Sequence, residues 1–312
     1  MDAAGTATHA ESLVDAVSTV VPSDNATLDT LLTGLVADAH VLAAEDRPDG
    51  IARTARGVAA ALDLEYSRVQ FAAEFDPAAL TDGRVANGSD DVTGFVPGPI
   101  FANVVVVEGY GRAPPAARSV LQDAMATGAV TLDGERHDLP DPFCVVATPG
   151  RSESARTSDA CHDRFALSGL IAHPDRADDR PRRDAASVPS SLQRVSTLAA
   201  IRRRRARADA VAVGDDHRRF VTDLGRATHR HPAVECGVTP AGIRRLFGLL
   251  RARASVHGRS AVTTADVRRV APAALAHHLT LSRARADGWS ARAVVESVLD
   301  GLDAPTETRL TA

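Results

Sequence analysis

The stretch Gly98-Pro99-Ile100-Phe101-Ala102-Asn103-Val104-Val105-Val106-Val107-Glu108-Gly109 decides how the rest of the chain reads. Four consecutive valines are the pattern of a central parallel strand covered on both faces, not of a half-exposed one. After it, Gly111-Arg112-Ala113-Pro114-Pro115 turns the chain, and proline at a first turn predicts a helix running to Met125. Downstream, the alternation over 129–139 around Asp133-Gly134 signals a hairpin, and 143–148 reads as another buried strand. Upstream, Leu28, Leu31, Leu32 and Leu35 fall at helical spacing within 27–39, and a short apolar strand follows at 40–44. A polar turn over 45–50 leads into an alanine-rich helix over 51–62 and a strand over 68–71. Strands alternating with helices predict a three-layer αβα domain with a parallel sheet, ending near Pro174.

Residues 175–190 are dominated by Asp, Arg, Pro and Ser and read as a linker. Beyond them helices are predicted over 192–208, 215–228, 240–256 and 264–279, the last after a capping-type start at Thr263-Thr264-Ala265-Asp266. The expected organisation is an αβα core over 1–175, with 1–25 as an N-terminal extension, a linker over 176–190 and an all-α domain over 191–312.

With 312 residues and a hydrophobic fraction of 44%, the chain has the composition of an ordinary globular protein. A net charge of -4 and a pI near 6.3 argue against a surface built to hold nucleic acid. All 36 Lys+Arg side chains are arginine; there is no lysine. Cys144, Cys161 and Cys236 lie far apart with no CxxC pair, so neither zinc nor a disulfide framework is expected, and all three read as buried free thiols. Asp2, Glu11 and Asp15 stand where a signal peptide would carry positive charge, and no apolar run reaches membrane-spanning length. A cytoplasmic protein without membrane insertion is the expectation.

The segment Gly98 to Val104, with Gly111-Arg112-Ala113-Pro114-Pro115, resembles the Walker B region of MoxR-type AAA+ ATPases. Val130-Thr131-Leu132-Asp133-Gly134-Glu135 and Leu139-Pro140-Asp141-Pro142-Phe143 are similar to that family's inserted hairpin and the strand after it. Asp163-Arg164-Phe165 resembles the motif carrying its arginine finger, while Gly237-Val238-Thr239-Pro240, Val262 to Val267 and Ala271 to His278 resemble its lid. The resemblance spans roughly residues 27–280. It implies a P-loop-type AAA+ domain followed by a small helical lid, ATP and Mg²⁺ as ligands, assembly into a ring and a von Willebrand factor A domain partner.

The chemistry implied by that resemblance is incomplete here. A Walker A loop wraps phosphates with glycine N–H groups, reaches them with lysine and offers a Ser/Thr hydroxyl to Mg²⁺. The corresponding stretch is Glu45-Asp46-Arg47-Pro48-Asp49-Gly50-Ile51-Ala52-Arg53-Thr54. Matched without a gap, it puts Ile51 at the lysine and Ala52 at the hydroxyl; matched with a gap, it puts Arg53 and Thr54 there. Both registers stay open, and the remnant pocket is Pro48, Gly50, Arg53 and Thr54. Gly50 fits a phosphate loop and a helix start equally well. Glu45, Asp46 and Asp49 place carboxylates beside a polyanion, where like charges about 4 Å apart repel by about 4 kcal/mol at an effective dielectric near 20.

In Walker B the first carboxylate holds Mg²⁺ and the second polarises water; the matching residues are Glu108 and Gly109, and glycine activates nothing. The sensor 1 asparagine falls at Gly150 and the sensor 2 arginine at Ala241. Glu108 and Arg164 are therefore the catalytic remnants, with Arg112 at a family position near the subunit interface. The run Arg202-Arg203-Arg204-Arg205 reads as a solvated helix face, and the pairs His229/His231 and His277/His278 as surface histidines without a metal. The expected function is a non-hydrolysing MoxR-like subunit acting as scaffold or regulatory partner in chaperone-like maturation, in a ring with itself or an active paralogue and without a bound cofactor. The alternative is a weak ATPase that binds ATP and Mg²⁺ through Arg53, Thr54, Glu108 and Arg164.

Overall fold

The computed structural model of the chain describes residues 12–43, 48–83, 95–149, 165–168, 194–282 and 284–305. It opens with α1 (Leu13–Ser18), capped by the Ser12 hydroxyl, whose Leu13, Val14 and Val17 are buried. The expected N-terminal extension thus contributes core residues. In α2 (Asn25–Ala37) the Asp24 carboxylate accepts from Thr27 N at 2.9 Å, satisfying one of the free amides of the first turn. Left-handed Asp38 ends the helix, and its four leucines are all buried.

Then come β1 (His40–Leu42), α3 (Pro48–Ala61), β2 (Tyr66–Gln70), α4 (Ala78–Thr81), β3 (Val104–Glu108) and α5 (Pro115–Thr127). The hairpin β4 (Ala129–Leu132) and β5 (Glu135–Asp138), β6 (Cys144–Ala147) and β7 (Phe165–Ser168) complete the first half. The sheet runs β2-β3-β6-β1-β7 with every pair parallel. Every β3 side chain is buried, as its valine run predicts. Val104 and Val106 join Val41 and Val146 in one core, whereas Val105 and Val107 face the other way with Leu42, Val145 and α5.

The second half holds α6 (Leu198–Ala210), α7 (Asp215–Thr228), β8 (Val234–Cys236), α8 (Pro240–Val256), α9 (Thr264–Leu275), β9 (Thr280–Leu281) and α10 (Ala291–Asp300). α8 packs along α2, so the core on that face of the sheet continues without a break into the helical domain.

Several expectations change. α3 starts at Pro48, inside the predicted polar turn, because proline's fixed φ suits the first helical position and Asp49 suits the positive end of the helix. α6 starts at Leu198 rather than 192, where the Thr197 hydroxyl accepts from Ala200 N. α9 stops at Leu275 and continues as a 3₁₀ turn over Ala276–His278. The second domain is not purely helical: β8 and β9 form a small antiparallel ladder. Cys236 sits exposed on β8, so burial holds for Cys144 alone of the two described thiols, whose pKa is pushed up to about 12 by that burial. Cys161 and the linker over 176–190 lie outside the described residues.

The arginine run is solvated only in part: Arg202 and Arg203 are exposed, whereas Arg204 and Arg205 are half-buried. Arg202 donates to the Asp141 carbonyl at 2.8 Å, Arg204 to the Ser255 carbonyl at 2.7 Å and Arg205 to the Leu35 carbonyl at 3.1 Å. Only Arg203 of the four makes no described polar contact. No described helix is long and apolar enough to cross a membrane, and among the described residues no three His, Cys, Asp or Glu side chains converge as a metal site.

Candidate functional site

In a parallel sheet with helices on both faces, ligands are taken at the carboxyl ends of the strands. Here that edge brings together the end of β3, the end of β6 and the first turn of α3. Glu108 closes β3 with its side chain buried. Arg68, two residues before the register partner of Glu108 on β2, lies on the same face of the sheet. Its Nε is 2.6 Å from Glu108 Oε1 and its Nη2 2.9 Å from Asp49 Oδ1. One guanidinium therefore bridges the end of β3 to the first turn of α3. The Glu108 contact, against an opposing effect of burial, holds the Arg68 pKa above its ordinary value. Beside it the Tyr66 hydroxyl is pushed up to about 12, by burial first and by the Glu108 charge, with Arg68 opposing.

Gly109 follows with φ +67°, a left-handed conformation that favours glycine. A Cβ added there would lie 2.5 Å from Arg112 Nη2 and 2.9 Å from its Cζ, so the Arg112 guanidinium occupies the space a side chain at 109 would take. The turn is pinned to β6: Gly109 N donates to Thr148 Oγ1 at 3.3 Å and Tyr110 N to Thr148 O at 2.9 Å. Tyr110 is fully buried edge-on to Phe165 and its hydroxyl accepts from Gln122.

Across the gap, Pro48 is the first residue of α3 and Gly50 lies in its first turn. Ile51 and Ala52 are buried in the core. Arg53 is exposed on the outer side, and the buried Thr54 donates its hydroxyl to Ser23 Oγ at 3.2 Å. Pro48, Gly50 and Glu108 are thus brought to one edge, while Thr54 is committed elsewhere. Ala241 stands exposed at the start of α8. Arg164 and Gly150, like Glu45 and Asp46, lie outside the described residues.

Two features were not read from the sequence. Arg68 reads in the sequence only as a strand residue, although the two-residue period of β2 places it on the Glu108 face. In the sequence Asp49 reads as uncompensated repulsion, and its 2.9 Å salt bridge to Arg68 corrects that. Chemically, the arrangement holds Glu108 in an ion pair with Arg68 and places glycine, with no side chain to polarise water, at the position after it.

The parallel five-stranded sheet and the helical domain after it are matched by the AAA+ models of an ATPase domain and its lid. Residues 40–167 match the ATPase family associated with various cellular activities (AAA), and residues 226–298 match the AAA lid domain. A crystal structure from Cytophaga hutchinsonii, presented there as a candidate ATPase, superposes with a TM-score of 0.78 at 21% identity over 94% of both chains. The chain is an AAA+ domain with its lid, and MoxR proteins are among its relatives. It is 26% identical to Chaperone MoxR1 of Mycobacterium tuberculosis, covering 95% of this chain and 82% of that one. It is 27% identical to Protein MoxR of Paracoccus denitrificans, covering 86% and 88%. Uncharacterized protein YeaC of Bacillus subtilis is 28% identical, covering 88% of each.

Proposed function

We propose that this chain is a non-hydrolysing MoxR-like subunit, which keeps the AAA+ scaffold and its assembly surfaces but does not turn over ATP. The observation that carries the reading is the end of β3, where Arg68 holds Glu108 and the Arg112 guanidinium lies against left-handed Gly109. Two supports come from α3. Ile51 and Ala52 at the helix start favour the ungapped register, which leaves no cation and no hydroxyl for a nucleotide's phosphates and metal. Asp49 already sits at the positive end of the helix, the place an anion would take. These residues do not fit a magnesium triphosphate.

In this reading the chain acts in a ring with itself or with an active paralogue, as a scaffold or regulatory partner in the chaperone-like role that the MoxR1 name suggests, beside a von Willebrand factor A domain protein. Arg164 then works on a neighbouring subunit's nucleotide. Reconstitution with the host's intact paralogue tests this: the mixed ring should hydrolyse ATP, and Arg164→Ala in this chain should lower that rate. A mixed ring indifferent to the substitution would remove the finger role. Micromolar binding of a fluorescent ATP analogue in Mg²⁺ together with ATP turnover by the isolated chain would count against the reading as a whole.

A further inference from the structure

By sequence α2 belongs to the αβα domain and leads directly into β1, yet each of three helices from the second domain places an arginine on it. At its C-terminal end, Arg205 of α6 donates Nε to the Leu35 carbonyl at 3.1 Å and Nη2 to Asp38 Oδ1 at 2.5 Å. In its first turns, Arg269 of α9 donates to the Ala26 carbonyl at 3.2 Å, and Arg253 of α8 donates Nε to Asp29 Oδ2 at 2.8 Å. Arg253 also pairs with Asp266, the capping-box residue of α9. Arg259 grips the same carboxylate at 2.5 and 2.7 Å, and His257 Nε2 lies 2.8 Å from Asp29 Oδ1.

Asp29 is 5% exposed and Asp266 fully buried, so both carboxylates have given up water for these cations. Breaking such a pair without rehydrating its charges is strongly unfavourable, and a rotation of the second domain would break several together. We infer that this arginine clamp fixes the lid on the αβα core, so that the two move as one body and the lid does not swing in response to nucleotide. The inference is separate from loss of hydrolysis: a chain that bound ATP could hold its lid fixed, and one that did not could have a loose lid.

Native-state hydrogen exchange by mass spectrometry on the full chain, with and without ATP and Mg²⁺, tests it. Arg253→Met keeps the apolar stem and removes the guanidinium. Asp29 retains His257 and Arg269, whose Nε lies 3.7 Å from Asp29 Oδ2, and Asp266 retains Arg259, so no buried carboxylate is stranded; Arg269→Met is the second variant. In the wild type, amides of α8 and α9 should open together with β3 and β6, unchanged by ATP. In Arg253→Met, α8 and α9 should exchange at least tenfold faster than the sheet. The clamp is overturned if both variants keep lid and sheet exchange matched, if the wild-type lid already opens ahead of the sheet, or if ATP alters lid protection in the wild type. New protection confined to the start of α3 would speak against the proposed function and leave the clamp standing.

Discussion

A glutamate restored at position 109 would have to hold φ near +67° and displace the Arg112 guanidinium. A left-handed non-glycine residue costs about 1–2 kcal/mol, so Gly109→Glu should lower the urea-unfolding free energy by about that much and still release no phosphate. A variant that is as stable as the wild type and hydrolyses ATP would show that glycine alone stood between this site and activity. His40 gives a second test at this scale. Its Nδ1 accepts from Val145 N at 3.1 Å and its Nε2 faces the Met125 carbonyl at 3.1 Å, which fixes a neutral ring. Burial holds its pKa below the ordinary 6.5, with the Met125 contact opposing. The unfolded chain therefore takes the proton first, so stability is full above pH 6.5 and declines as the pH falls below it. Urea midpoints between pH 7.5 and 5 should show this slope, and His40→Asn should flatten it. An equal slope in the variant would assign the effect to another group.

At the level of elements, the helices at 215–228 and 240–256 were legible with their bounds, and the one read at 27–39 lies at 25–37, because apolar residues recur at helical spacing over three or more turns there. Shorter elements carried too few residues for a period: α1 has six and β9 only two. The arginine run misled for a different reason. Charge runs are usually solvated, and only the packing of α6 beside α2 and Asp141 gives Arg205 its partners, leaving its side chain 18% exposed. Arg205→Ala should therefore cost about 1–2 kcal/mol. The exposed Arg203→Ala should stay within about 0.5 kcal/mol. Chemical denaturation of the pair decides this, and equal losses would return the run to the status of a surface feature.

For the molecule as a whole, the fold was readable because the buried valine strand, the alternation of strands and helices and the capped helices all point to one architecture. The candidate site was readable only as absences: the sequence holds no lysine, and Gly109 follows Glu108. What stands in their place, Arg68 across the sheet and Arg112 over Gly109, depends on strand register and turn geometry, which no linear spacing displays. The same holds for the clamp, whose partners Asp29 and Arg253 are far apart in the chain. Both its carboxylates feel burial, which raises their pKa values, but His257 and Arg253 for Asp29 and Arg259 for Asp266 outweigh it and hold them below the ordinary 3.8. Their contribution is complete above pH 3.8 and is lost as the pH falls through the lower folded values. Acid unfolding should thus steepen below pH 3.8, after the shallower decline from His40, and Asp29→Asn should weaken the second phase; an unchanged acid limb would contradict that assignment. The most direct test of the central claim is phosphate release by the isolated chain in saturating ATP and Mg²⁺. The account predicts a rate no greater than the protein-free blank, whereas sustained release proportional to protein concentration and abolished in Glu108→Ala would contradict it.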